Sequence, residues 1–264
     1  MMKQLVISIF LISAFVLVTS HPLNMQKTEL KTVVIDAGHG GKDPGCIGAG
    51  KKSFEKDVAL DIALRVGRLI KQKMPDVQVI YTRKSDVFVP LWKRASIANR
   101  NRADLFISIH CNANESGTLH GTESYVMGIH KSEQNLNVSK RENAAILLEE
   151  DYKNNENYNG FDPESDEAHI IFSLYQNAYR EQSLELAGKF QNVIETKKIR
   201  RNLGVKEAGF LVLWRTAMPS ILVETGFLTN AQEQEFLLSE RGRSNLSQSI
   251  FMALRSYKNE LEAN

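Results

Sequence analysis

The chain is short of cysteine. Two residues among 264, Cys46 and Cys111, cannot build a disulfide scaffold, so a hydrophobic core must carry the fold. An excess of charge is also missing: 33 Lys and Arg face 31 Asp and Glu, a net charge of +2. That balance gives no pull toward nucleic acid, which is not expected as a partner, although it leaves an anionic polymer open. Past residue 20 there is no apolar run of about 20 residues, so no membrane span is expected in the mature chain.

What is present is a 42% hydrophobic composition, enough to bury one domain-sized core. The opening stretch MMKQLVISIFLISAFVLVTS has a basic start at Lys3, an apolar segment from Leu5 to Val18 and small polar residues after it. It reads as a secretory signal peptide over residues 1–20, cut near His21, with no cysteine there to receive a lipid. A polar leader (21–30) then precedes a domain expected over 31–260, and the mature protein is expected outside the cytoplasm, in a periplasm or equivalent space.

Short apolar runs recur along that domain: TVVID (32–36), VQVIY (77–81), LFISI (105–109) and SILVE (220–224). They predict buried parallel strands. Between the first two, Ser53 can cap a helix carrying Val58, Ile62, Val66, Leu69 and Ile70, which stops before Pro75. A second helix starts at Pro90 and carries Leu91, Ala95 and Ala98. GTESYVMG (121–128) and GFLVLW (209–214) are read as further strands, with helices around 184–194 and 243–257. The expectation is an α/β fold: a single domain, a mostly parallel twisted sheet and helices on both faces. Glu149 to Glu167 is polar and acidic, with little to bury except Tyr152, Tyr158 and Phe161, as in a surface insertion.

In an open parallel sheet, ligands bind beyond the carboxyl ends of the strands. His39 lies just past the first strand, His110 and Glu224 end two others, and Glu55 sits in the first turn of the helix after strand one. Two imidazoles, a carboxylate and a fourth position for water make a catalytic zinc set, and a second carboxylate nearby can take the water's proton. Taken singly, each has a plainer reading as a hydrogen-bonded loop residue, a favourable charge at a helix start or a paired strand end. Their arrival at one rim favours a zinc site at the carboxyl edge.

IDAGHGGKDPG (35–45), Glu55, YTRKSD (81–86), RASIANRNRADLFISIHCNAN (94–114), GTESYV (121–126) and MPSILVETGFLTN (218–230) occur in this order. Together they resemble the zinc-dependent N-acetylmuramoyl-L-alanine amidases, specifically the type-3 amidase catalytic domain. The resemblance implies one Zn2+ per chain held by His39, Glu55 and His110, with Glu224 as the catalytic carboxylate. It implies peptidoglycan as substrate, cut between N-acetylmuramic acid and L-alanine of the stem peptide during cell-wall remodelling or daughter-cell separation. A zinc peptidase cutting within the stem peptide and a non-catalytic wall-binding or activator protein that keeps the fold are the competing readings.

Three departures stand out. Cys46 and Cys111 occupy positions where many relatives have alanine; they are either small buried thiols or, if their Cα atoms come within about 7 Å, a disulfide. Cys111 is not expected on zinc, because it neighbours His110 on a strand and points to the other face. Trp214 stands where an arginine is common, which puts a substrate contact from it in doubt. Residues 139–174, with RENAAILLEE able to form a helix, occupy the place where some members carry a segment covering the zinc site until a protein activator removes it. This stretch is a lid, a solvated excursion or a wall of the substrate groove. Asn112 and Asn114 are candidates for substrate contact or for turn stabilisation. The basic run KRASIANRNR (93–102) reads as a solvated helix face, and His120, His130 and His169 as ordinary surface or loop residues.

Overall fold

β-Branched and aromatic residues set where the sheet forms. The structure, a computed structural model, describes residues 29–174 and 178–263; the expected signal peptide and nearly all of the leader lie outside them. Six strands make one sheet: β1 (Thr32–Ala37), β2 (Gln78–Tyr81), β3 (Leu105–Asn112), β4 (Thr122–Met127), β5 (Asn202–Ala208) and β6 (Ser220–Phe227), in the order β2-β1-β3-β6-β4-β5. The four expected parallel strands, β2, β1, β3 and β6, are neighbours in that order and run parallel. β4 lies antiparallel to β6 and parallel to β5.

The helices are α1 (Glu55–Lys73), α2 (Leu91–Arg100), α3 (Glu133–Asn143), α4 (Asp166–Ser173), α5 (Arg180–Thr196), α6 (Leu211–Trp214), α7 (Ala231–Leu238) and α8 (Glu240–Leu261). Alternate strand residues divide between two cores, as the pleat requires. Val33, Ile35, Ile107 and Val223 pack beneath α1, α5 and α8, through Ile62, Val66, Phe190 and Leu254. Val34, Phe106, Tyr125 and Leu222 pack on the other face with α2, α6 and the segment after β4. No helix among the described residues is long and apolar enough to cross a membrane.

Several local expectations are corrected. GFLVLW is not a strand: β5 lies just before it, and Leu211–Trp214 forms one helical turn. Asn143 fixes that turn, its Oδ1 accepting from Leu211 N at 2.8 Å and its Nδ2 donating to Gly209 O at 2.7 Å. A short run buried on all sides carries no period that separates strand from helix. RENAAILLEE is not one helix; α3 ends at Asn143 and a 3₁₀ turn follows over Ala144–Leu148. Ser53 does not cap α1, whose N-cap is Phe54; its hydroxyl donates to Gln234 Oε1 at 2.8 Å.

The segment after β4 is packed against the body. Tyr158 is buried and donates to Glu149 Oε1 at 2.5 Å, while Glu149 accepts from Leu91 N at 2.7 Å and so caps the start of α2. His169 is not a surface residue. It is buried edge-on against Phe161, with Nε2 3.0 Å from Pro163 O, and burial lowers its pKa.

Arg94 corrects the reading of the basic run as wholly solvated. Its side chain is 2% exposed and donates to Asp36 Oδ1 (2.8 Å), Ala37 O (2.7 Å), His39 O (2.9 Å) and Val89 O (3.0 Å). Removing one partner of a buried ion pair strands the other charge. Arg94→Ala is therefore expected to lower unfolding free energy in urea titration by about 3–5 kcal/mol. Exposed Arg100→Ala should stay within about 0.5 kcal/mol.

Candidate metal centre

β1 delivers the chain to the carboxyl edge and the next residues turn it across the end of β3. A Cβ on Gly38 would sit 2.4 Å from the His110 ring, so only glycine lets these segments approach so closely. His39 itself takes a left-handed backbone, φ 59°, unusual for a residue with a side chain.

Glu55 opens α1 with a fully buried carboxylate. Its Oε2 accepts from Cys46 N at 2.8 Å and its Oε1 from Cys111 N at 2.9 Å. Two backbone amides, one from the loop after β1 and one from β3, thus orient the carboxylate, and its Oε1 also faces the two imidazoles. Register completes the set, pairing His110 with Glu224 across β3 and β6.

The structure brings together His39, Glu55, His110 and one further residue, Glu142 of α3, with ligand atoms all within 4.8 Å of one another. His39 Nε2 lies 3.0 Å from Glu55 Oε1 and 3.0 Å from Glu142 Oε2; His110 Nδ1 lies 3.0 and 2.9 Å from the same two oxygens. Four donors at about 2.0 Å from one centre would lie roughly 3.3 Å apart; four of the separations here are slightly shorter and none exceeds 4.8 Å, so the donors can share one ion. Among the described residues neither His39 Nε2 nor Glu142 Oε2 has a partner aligned for a hydrogen bond, although they lie 3.0 Å apart, as expected of groups arranged for a cation. Two imidazoles and two carboxylates suit a divalent transition metal. His39 Nδ1 is held by Asp43 Oδ2 at 2.9 Å, the carboxylate–histidine support common behind metal ligands.

Burial acts to raise the pKa of Glu55, but the imidazoles of His39 and His110 hold it down to about 2. Burial acts to lower His110, and Glu142 and Glu55 lift it to about 9. Glu224 is pushed well above the carboxylate range by burial and by the Glu142 and Glu55 charges. Among the described residues neither Glu224 oxygen has a hydrogen-bond partner; Arg141 Nη2 is 3.8 Å from Oε1. The same guanidinium donates to Asn112 Oδ1 (2.9 Å), Ala113 O (3.2 Å) and Glu142 Oε1 (3.0 Å). α3 therefore puts one residue onto the ligand group and its neighbour against Glu224.

Asn112 and Asn114 both line a cleft of about 790 Å³ that runs from Arg141 along α3 to Thr229. Asn112 is buried, with Nδ2 donating to Glu123 Oε2 at 2.9 Å, and Asn114 Oδ1 accepts from Ser116 N at 3.2 Å. Cys46 and Cys111 are free and buried; Cys46 Sγ donates to Cys111 O at 3.1 Å and Cys111 Sγ lies 3.2 Å from Thr225 Oγ1. Trp214 stacks edge-on to Phe172, ring centroids 4.7 Å apart.

The signal for Glu142 in the sequence is weak, since it is one glutamate among many in a polar stretch. The signal for Asp43 is better: in HGGKD it falls four residues after a candidate ligand. Asp36 and Ser108, inside apolar strand runs, are polar residues that a buried strand tolerates only with partners.

Fold and site together define a class: an α/β domain with a buried His/Glu group able to hold a metal ion at the carboxyl edge of a mainly parallel sheet. The family model for N-acetylmuramoyl-L-alanine amidase matches residues 33–256, and the chain belongs to that family. It is 32% identical over 228 residues to N-acetylmuramoyl-L-alanine amidase AmiC of Escherichia coli O6:H1, a match covering 85% of this chain and 52% of the relative. It is 34% identical to AmiC of Neisseria meningitidis serogroup B, over 86% of this chain and 52% of that one. The chain thus spans about half the length of these relatives. Among solved structures, an N-acetylmuramoyl-L-alanine amidase from Clostridium difficile 630 superposes with TM-score 0.64 at 28% identity, covering 88% of this chain and 98% of that one. AmiC2 of Nostoc punctiforme gives TM-score 0.59 at 29% identity, over 86% and 96%.

With zinc as the probe metal, His39→Ala and His110→Ala are each expected to retain none after dialysis, read by atomic emission, while wild type and Asn114→Ala retain it. Full zinc retention in either histidine variant would remove that residue from the ligand set.

Proposed function

We propose that the protein is a secreted, zinc-dependent N-acetylmuramoyl-L-alanine amidase that hydrolyses peptidoglycan at the amide between N-acetylmuramic acid and L-alanine, in wall remodelling or cell separation. The observation that carries this reading is the convergence of His39 Nε2, His110 Nδ1 and Glu55 Oε1 beside a buried, unbonded Glu224 carboxylate in a chain of this family. His39, Glu55 and His110 would hold the ion. Zinc bound there would supply Lewis acidity toward water and a substrate carbonyl. Glu224 takes a proton from the attacking water and returns it to the leaving amine nitrogen. Asn112 and Asn114 lie where a stem peptide entering the cleft would pass them. The apolar segment from Leu5 to Val18 supports export of the chain to a periplasmic or equivalent space.

The segment that includes residues 139–174, with Glu142 on α3, acts as a lid in this reading. Glu142 Oε2 fills the fourth position of the ligand group, and Arg141 spans Glu224, Asn112 and Ala113. Substrate and α3 cannot occupy that place together, so a protein partner that draws α3 away would activate the enzyme.

Glu224→Gln is expected to retain zinc and lose roughly 10²- to 10⁴-fold in hydrolysis. The assay is mass analysis of peptides released from purified peptidoglycan. Stem peptides with free L-alanine amino termini support the amidase, whereas cuts within the stem would show a peptidase. A separate measurement concerns the lid: deleting residues 139–174, or changing Glu142→Ala, should raise basal hydrolysis. Unchanged or lower activity in a folded variant would count against the lid.

A further inference from the structure

We infer that Ser108 and Asp36 are positioning residues that fix which nitrogen of His110 carries the proton, and so present Nδ1 to the metal. The inference rests on the metal reading above. His110 Nε2 lies 3.1 Å from Ser108 Oγ, and Ser108 Oγ donates to Asp36 Oδ2 at 2.6 Å. Both Ser108 and Asp36 are completely buried. Asp36 Oδ1 in turn accepts from Arg94 Nη1 at 2.8 Å and Thr82 Oγ1 at 2.6 Å.

The proton directions follow from this inventory. A carboxylate ion-paired with a guanidinium only accepts, so the single hydroxyl proton of Ser108 points at Asp36. Ser108 Oγ then has only lone pairs left for His110, and Nε2 must be the nitrogen that donates. A cation entering the group therefore meets His110 at Nδ1, the nitrogen that faces Glu55, Glu142 and His39. His39 reaches the same end directly, with Nδ1 on Asp43 and Nε2 facing the group. Each histidine thus has its own carboxylate behind it, one in direct contact and one through a serine. The Arg94 of the basic run belongs to this chain of contacts, since it sets the charge that orients Ser108.

The test is the zinc dissociation constant of the full mature chain, measured by competition with a chromophoric chelator. Its companion is thermal unfolding in excess chelator, which reports the fold without metal. Ser108→Ala is expected to weaken zinc binding about 10- to 100-fold while keeping a cooperative metal-free unfolding transition, its midpoint lowered because Asp36 Oδ2 loses its donor. Ser108→Thr, which keeps the hydroxyl, should restore most of the affinity; Ser108→Cys, with a weak acceptor, should fall between, and serves if the alanine variant does not fold. Wild-type affinity in folded Ser108→Ala, or equal loss in the threonine and alanine variants, would overturn the positioning role. Failure of the wild-type chain to bind one zinc would instead overturn the metal reading on which this inference stands.

Discussion

Burying charge is the constraint on which the rest of this structure depends. Glu55, Glu142 and Glu224 carry carboxylates into a space that also holds two imidazoles, and each isolated ion there would cost several kcal/mol after relaxation. The fold meets this with specific partners. Amides hold Glu55, Asp43 holds His39, a serine and an aspartate hold His110, and Arg141 stands beside Glu224. The parallel register of β1, β3 and β6 places three of these segments at one edge, and α1 starts there because its first residue is already tied to the loop and to β3. The same arrangement that makes the site expensive to bury makes it receptive to a divalent cation, which would compensate several negative charges at once.

Much of this was legible in the sequence, for definite reasons. Strands buried on both faces read as unbroken apolar runs, so the four parallel strands are visible as TVVID, VQVIY, LFISI and SILVE, and the polar residues that end or follow them mark the functional edge. His39, Glu55, His110 and Glu224 could be gathered on that logic. The edge strand β5, NLGVKEA, was not visible, because a polar and half-exposed strand lacks that signature. GFLVLW was misread for the converse reason: it is apolar because it is buried under the insertion, whatever its backbone does.

Side-chain direction was the other illegible quantity. Arg94 sits in a run of basic residues that are mostly solvated, and nothing local shows that one of them turns inward to Asp36. Glu142 is likewise indistinguishable from its acidic neighbours until α3 is placed across the site. His169 looks like a loop residue until Phe161 and the turn at Pro163 close around it. In each case the deciding contact joins positions far apart in the chain or inside the packed insertion, and pattern within a window carries no information about it.

The clamp on Glu55 has a consequence for how this site can change over time. Its donors are the main-chain N–H groups of Cys46 and Cys111, and a main-chain donor survives every replacement except proline. Selection acting on the ligand is therefore blind to which side chains stand at those two positions, and sees only the path of the loop that delivers them. The thiols can give way to other small groups that fit the same packing, while the carboxylate they flank stays aimed.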